Sequence, residues 1–262
     1  TGKTYSYCLS VFGPALWYGR AISAFSIVLT ALLIALTLHT ITKDRLASIS
    51  AGLLLFAIPH IRFWSSLNRV DSLALALSWA SLFIIVRWPS WGASILAAIL
   101  LVAAVYTRQT YGLAASLAAC AWLWNQKAKS NILIFAGTAV ILGLMLLVLL
   151  NASSDGGFLF GIVRSNLNEY SYARAFSALS DLVRRLPFLL MCSALFFFIG
   201  IKARLDSWWL VGPYLIGGAL TTLTIGKVGS NVNYLFELSA ALCLAMGAML
   251  AWKRGRPWQR YL

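Results

Sequence analysis

Three groups of polar and charged residues interrupt the apolar segments of this 262-residue chain, and their residue types could bind an anion. The first group is Arg62 with the segment Asn68-Arg69-Val70-Asp71. Because residues two positions apart on a helix do not face each other, Arg69 and Asp71 are not expected to pair. Asp71 could cap the following helix by accepting backbone N–H groups. Arg69 cannot do so, and its guanidinium is better suited to an anion.

The second group is the segment Thr107-Arg108-Gln109-Thr110, between two apolar stretches. A guanidinium beside hydroxyl and amide groups can hold a phosphate. A solvated hairpin turn would explain the same residues equally well. The segment therefore predicts either an anion site or an exposed turn.

The third group begins at Lys227 and includes Asn231, Asn233, Tyr234 and Glu237. Asn233 and Glu237 are four positions apart and share a helix face, and either asparagine could cap the helix. Glu237 lies about one turn inside an apolar span. Because an ionisable residue is costly there, it indicates function by default, and capping does not explain it.

The composition predicts a membrane protein. The chain is 61% hydrophobic and 11% charged, whereas soluble domains are about 45–50% apolar and about 25% charged. A soluble enzyme, a disulfide-stapled secreted module and a disordered chain are therefore excluded. The net charge of +14 is scattered over many loops, which does not predict nucleic-acid binding and suits anionic lipid. The cysteine and histidine spacings predict neither a metal site nor a cofactor.

The fold class predicted is all-α, a polytopic bundle of about nine transmembrane helices. A spanning helix needs about 20 mainly apolar residues, and open sheet edges cannot lie in hydrocarbon. We expect residues 1–20 to be the remnant of an external loop, 21–252 the transmembrane domain and 253–262 a basic cytoplasmic tail. The nine apolar segments are Ala21–Thr40, Ala47–Trp64, Ser72–Val86, Trp91–Tyr106, Tyr111–Trp124, Asn131–Leu150, Pro187–Ile201, Trp208–Ile225 and Tyr234–Trp252.

The external loop at 151–186 is predicted to contain an amphipathic helix in its second half. Its apolar residues, from Tyr172 and Phe176 to Leu186, share one face, and Arg174, Asp181 and Arg184 lie opposite. Such a helix suits the lipid headgroup plane, although packing against its own bundle is the alternative. Outside this loop, eleven Lys and Arg residues lie on the C-terminal side and six on the other. This bias predicts a cytoplasmic C-terminus and an outer location for all three polar groups.

Two segments, each at the start of a helix, resemble the GT-C membrane glycosyltransferases. The branch they resemble is the dolichyl-phosphate-mannose protein mannosyltransferases and their bacterial relatives, which use polyprenyl-phosphate sugars. The segments 107–110 and 229–237 also resemble stretches of bacterial members. The two helix-start segments are Gly19-Arg20-Ala21-Ile22-Ser23 and Arg69-Val70-Asp71-Ser72-Leu73-Ala74-Leu75. In that family the catalytic Asp lies in the first external loop. Residues 1–20 contain no Asp or Glu, so the resemblance implies an N-terminal truncation and a main catalytic Asp upstream.

The resemblance implies transfer of a hexose or pentose from a polyprenyl phosphate to an acceptor on the extracytoplasmic face. The expected location is a cell membrane, in particular a bacterial inner membrane, and the acceptor is a glycan, lipid or protein. No metal or cofactor is expected. The implied site residues are Asp71 and Glu237 as catalytic or orienting carboxylates, Arg69, Arg108 and Lys227 for phosphate, and Gln109, Asn231, Asn233 and Tyr234 for substrate.

The alternatives are a membrane transporter or lipid flippase, and a fragment without activity of its own. Transporters commonly contain internal repeats and pairs of broken helices. No convincing repeat is found in this chain, which favours the glycosyltransferase.

Overall fold

The computed structural model describes residues 17–164 and 167–254, and this part of the chain is helical without any β-strand. Its twelve α-helices are α1 (Trp17–Thr42), α2 (Arg45–Ala57), α3 (Pro59–Ser65), α4 (Asp71–Arg87), α5 (Trp91–Thr107), α6 (Leu113–Asn125), α7 (Lys129–Ala152), α8 (Gly157–Val163), α9 (Tyr172–Arg185), α10 (Pro187–Lys202), α11 (Trp208–Thr222) and α12 (Phe236–Arg254). Three short 3-10 turns join some of them, at Gln109–Tyr111, Leu223–Gly226 and Val232–Leu235.

All nine predicted apolar segments are helical, and the chain is a multi-pass membrane protein. The second predicted segment is two helices, α2 and α3, with a bend of 69° between them. Within the described ranges, four helices are long and apolar enough to cross a membrane, or up to six if each of two bent pairs counts as one span. The all-α bundle is therefore confirmed, whereas the number of nine spans stays a prediction.

Helix α12 lies at the centre of the bundle and α7 at its edge. Helix α12 packs against α2, α10 and α11, and its first ten residues are all buried. Helix α7 packs mainly on α5, and only Asn131 and Phe135 of its 24 residues are buried. The many exposed leucines and valines of α7 suit contact with lipid, where apolar surface carries no cost.

Close contact between α6 and α11 depends on Gly217. A Cβ atom at this position would lie 2.4 Å from the Cα of Ala114 on α6. Because that neighbour is backbone, the two helices would have to separate. Small residues allow this kind of close packing between membrane helices.

We expect Gly217→Ala to destabilise the protein by about 1–3 kcal/mol, the usual cost of overpacking. The measurement is the unfolding midpoint in detergent. Gly137→Ala on α7 is the matched control, because a Cβ there meets nothing within 4 Å and alanine favours a helix by about 0.5–1 kcal/mol. Equal stability of the two variants would contradict the role of Gly217.

The long loop contains one helix that the sequence analysis did not predict, α8, and an extended segment pinned to the bundle. The backbone of 169–171 pairs with 226–228, including an antiparallel bridge between Tyr170 and Lys227. The Tyr170 hydroxyl donates to the carbonyl of Leu223 over 2.9 Å. A Cβ at Gly226 would lie 2.3 Å from the Tyr170 ring, so a glycine at this position leaves the space that the Tyr170 side chain occupies.

The predicted amphipathic helix exists as α9, and it turns by 91° into α10. A helix that lies in the membrane interface beside a spanning helix would have this geometry, and the interfacial position of α9 stays a prediction. Its apolar face is divided between two environments: Leu182 is buried in the bundle, whereas Tyr172, Phe176 and Val183 are exposed.

The C-terminal end of the described chain contacts the turn between α1 and α2. The Asp44 carboxylate accepts the backbone N–H of Ala47 over 3.0 Å and the Arg254 Nε over 2.8 Å. The Ala47 N–H and the Arg254 charge together lower the pKa of Asp44. Residues 1–16 of the predicted loop remnant lie outside the described residues. The same is true of residues 255–262 of the predicted cytoplasmic tail.

Candidate functional site

The site is built around Asp71, the first residue of α4. Val70 occupies the N-cap position, so the interpretation of Asp71 as a helix cap is wrong. The Asp71 side chain is 1% exposed. A carboxylate buried to this degree requires charged or hydrogen-bonding partners.

Three side chains provide those partners. Arg108 Nη1 lies 2.6 Å from Asp71 Oδ1, and the amide of Asn233 donates to the same oxygen over 2.9 Å. Arg69 Nε lies 3.4 Å from Oδ2. The expectation that Arg69 and Asp71 do not pair is wrong, because Arg69 precedes the helix and the helical spacing rule does not apply to it.

Arg108 is held between Asp71 and an aromatic ring. It ends α5 in an extended backbone conformation, and its Cζ lies 4.7 Å from the ring centroid of Tyr234. The side chain is only 17% exposed, so a solvated turn does not describe this residue. Its Nε is buried and has no hydrogen-bond partner within the described chain. One N–H donor of the guanidinium is therefore buried and unsatisfied by the described residues.

Arg69 is more accessible, and its backbone is fixed by α1. The Ser23 hydroxyl donates to the Arg69 carbonyl over 2.7 Å and accepts its backbone N–H over 3.2 Å. The Arg69 Cζ lies 5.0 Å from the ring centroid of Trp64. Its side chain is 44% exposed, so Arg69 can contact a ligand at the edge of the site.

Tyr111 is a site residue that the sequence analysis did not identify. It is buried, and its hydroxyl donates to the backbone carbonyl of Asn233 over 3.2 Å. This bond ties the turn after α5 to the turn before α12, from which Asn233 reaches Asp71. The only signal in the sequence is its place directly after Thr107-Arg108-Gln109-Thr110.

Glu237 lies in the buried first turn of α12 and makes no ion pair within the described chain. It is 2% exposed, and neither carboxylate oxygen has a hydrogen-bond partner there. The hydroxyl of Thr221, on α11, donates to the Gly218 carbonyl. Trp79 and Tyr214 also lie in the buried interior, with ring centroids 4.9 Å apart, and among the described residues neither the Trp79 indole N–H nor the Tyr214 hydroxyl has a hydrogen-bond partner. Sequence reasoning missed this aromatic pair.

A groove of about 480 Å³ runs past Arg108. Its lining combines polar and apolar residues. The polar ones are Thr107, Arg108, Gln109, Thr110 and Tyr234, and the apolar ones are Val70, Val105, Leu147, Phe158 and Ile162. We call this cavity the Arg108 groove. Tyr106 closes one part of it by donating from its hydroxyl to the Gly143 carbonyl over 2.6 Å and stacking on Phe158.

The structure thus brings together most of the predicted residues but not all of them. Arg69, Asp71, Arg108 and Asn233 form one bonded cluster, with Tyr234 against Arg108, and Gln109 lines the same groove. Lys227 contributes its backbone to the bridge with Tyr170. Asn231 caps the 3-10 turn Val232–Leu235 by accepting a backbone N–H, and it lines a different cavity.

No metal site is evident in the described part of the chain, where no three His, Cys, Asp or Glu side chains form a group of possible ligands. The absence of a metal or cofactor therefore remains an expectation of the sequence.

No protein-family model matches the sequence, and no curated protein matches it either. Two solved structures share the fold. One is ArnT from Cupriavidus metallidurans bound to undecaprenyl phosphate, at a TM-score of 0.67 and 14% identity over 94% of this chain. The other is the same protein in the apo state, at a TM-score of 0.68 and 14% identity over 97% of this chain. The chain spans about half the length of these structures, 49% and 48%. This likeness shows that the chain shares the fold of these structures, in agreement with the predicted resemblance.

Proposed function

We propose that this chain is part of a GT-C glycosyltransferase and binds the phosphate of a polyprenyl-phosphate sugar in the Arg108 groove. The observation that carries the proposal is the groove itself, because the Arg108 guanidinium lines it together with Leu147, Phe158 and Ile162. A polyprenyl phosphate requires both features at once, a cation for its head and an apolar surface for its tail.

Arg108 is suited to stabilise the leaving phosphate. In the proposed reaction the acceptor hydroxyl attacks the anomeric carbon, and the bond between that carbon and the phosphate oxygen breaks. The electron pair remains on the phosphate, whose negative charge increases. A guanidinium already fixed by Asp71 and Tyr234 needs little reorganisation to stabilise this charge, and such preorganised electrostatics are often the largest catalytic contribution.

Asp71 serves as a positioning residue in this proposal. Its two oxygens already receive donors from Arg69, Arg108 and Asn233, so the carboxylate holds these three side chains in place. The proton of the acceptor hydroxyl would pass to the upstream Asp that the family resemblance implies. Glu237, in the first turn of α12, is assigned the role that the family resemblance implies, which is to orient the sugar or the acceptor.

Two further findings support the proposal. The neighbour in fold, ArnT, has been crystallised with undecaprenyl phosphate. The right angle between α9 and α10 would place an amphipathic helix at the level of lipid headgroups. We assign the site to the extracytoplasmic face and the C-terminus to the cytoplasm, with a glycan, lipid or protein as acceptor.

The test is binding by the full-length protein in phosphatidylcholine nanodiscs. We expect saturable binding of radiolabelled undecaprenyl phosphate that unlabelled undecaprenyl phosphate competes and undecaprenol, which lacks the phosphate, does not. Polyprenyl-phosphate sugars supplied with acceptor membranes should then yield labelled product. Equal competition by undecaprenol would overturn the proposal, and so would scrambling of the lipid between leaflets without sugar transfer, since that result indicates a flippase.

A further inference from the structure

A second cavity lies between α9 and the segment that precedes α12. It has a volume of about 720 Å³, within the usual range of ligand sites. We call it the α9 cleft. The polar residues of its lining that could contact a ligand are Arg174, Ser177, Ser180, Asp181, Arg184 and Asn231.

The α9 cleft carries net positive charge. Arg174 and Arg184 both line it, and neither forms an ion pair with any residue of the described chain. The one acidic residue in the lining, Asp181, is paired with Arg185 at 2.8 Å. Two guanidinium groups are therefore left without a counter-charge on the wall of one cavity.

The remaining polar groups suit a phosphate ester. Hydroxyls of Ser177 and Ser180 and the side chain of Asn231 lie in the same lining. Arginine binds phosphate through paired N–H donors in a planar fork, and neighbouring hydroxyl and amide groups can bind the remaining oxygens and the alcohol portion.

The cleft is held in place from both sides. On one side the bridge between Tyr170 and Lys227 pins the chain that leads into α9. On the other side the 3-10 turn Val232–Leu235 follows Asn231, and its residues Asn233 and Tyr234 contact Asp71 and Arg108. The α9 cleft and the Arg108 groove therefore share one turn as part of their walls but have different cations.

We propose that the α9 cleft is a second anion site, which binds the phosphate-bearing headgroup of a phosphorylated alcohol such as glycerol phosphate. The exposed Tyr172, Phe176 and Val183 of the same helix bring this site to the level of lipid headgroups. A membrane phospholipid and a water-soluble phosphate ester present the same chemistry to it. The site does not depend on the proposed function, because its cations and its ligand differ from those of the Arg108 groove.

The experiment uses the full-length protein with two probes, glycerol 1-phosphate in solution and phosphatidylglycerol in mixed nanodiscs. Calorimetry measures the first, and native mass spectrometry counts the phosphatidylglycerol molecules retained. We expect the double variant Arg174→Gln/Arg184→Gln to lose roughly 10- to 100-fold in affinity, the size expected for charge-assisted hydrogen bonds. Retention of phosphatidylglycerol supports a membrane source, and binding of glycerol 1-phosphate alone supports a soluble one.

The matched control is Lys202→Gln/Arg204→Gln, which removes the same charge at the other end of α10. This control should bind both probes as the unmodified protein does. Binding of undecaprenyl phosphate is measured in parallel and should be unchanged in both double variants, which separates failure of this site from failure of the Arg108 groove. Binding of neither probe, or equal loss in both double variants, would refute the α9 cleft as an anion site.

Discussion

Replacing Arg108 by glutamine should weaken binding of undecaprenyl phosphate by about 100-fold or more, the effect of losing two charge-assisted hydrogen bonds to a phosphate. Glutamine preserves a polar side chain of moderate length but removes the charge and the planar fork. Arg108→Lys should not restore binding fully, because an ammonium group cannot keep both the contact with Asp71 and the stacking on Tyr234. The measurement is equilibrium binding of the radiolabelled lipid in nanodiscs.

Arg87→Gln is the matched control for this prediction. Arg87 also lies against an aromatic ring, with its Cζ 5.4 Å from the centroid of Trp88, but it is at the end of α4 opposite Asp71. The control should bind the lipid normally. If Arg108→Gln bound undecaprenyl phosphate as well as Arg87→Gln does, Arg108 would not be the phosphate ligand.

The second large effect concerns stability. Asp71→Asn should destabilise the protein by about 3–5 kcal/mol, because it leaves the Arg108 guanidinium buried without its counter-charge. The double variant Asp71→Asn/Arg108→Gln removes both charges, so it should lose much less than the sum of the two single variants. Unfolding in detergent, measured for all four proteins as a double-mutant cycle, gives the coupling energy.

This cycle also separates folding from binding. The double variant should be well folded and still unable to bind undecaprenyl phosphate, since Arg108 is missing. Additive losses of stability in the cycle would show that Asp71 and Arg108 do not act as a pair, and the positioning role of Asp71 would have to be abandoned.

The helices could be predicted from the sequence because long apolar runs in a membrane satisfy their backbone groups only as helices. The prediction failed where this signal is weak. Helix α8 has only seven residues and follows Asp155 and Gly156, which form a turn. The bend between α2 and α3 occurs inside one apolar run, before Pro59, a residue that disfavours a helical conformation in the residue preceding it.

The site could be predicted only as separate parts. Arg69, Arg108 and Asn233 were identified because each is a polar or charged residue next to an apolar membrane segment, where burying such a group costs free energy. That property can be recognised from the local sequence alone. Their convergence on Asp71 is not local, since Asp71 and Asn233 are 162 positions apart. The interior Tyr111, Trp79 and Tyr214 are missed for the same reason, because an aromatic residue in an apolar run looks like ordinary core until its neighbours are known.

The polar and the apolar lining residues of the Arg108 groove belong to different parts of the bundle. The polar residues belong to α5, the turn after it and the chain that enters the central helix α12. Leu147, Phe158 and Ile162, in contrast, belong to α7 and α8 at the periphery, where α7 makes few polar bonds, among them Tyr106 to Gly143 and Asn131 to Pro89. In the proposed function, the cation for the headgroup is therefore held by an ion pair, whereas the hydrocarbon chain would meet a surface held mainly by apolar packing. Such a surface would let one phosphate seat accept isoprenoid chains of different length and saturation.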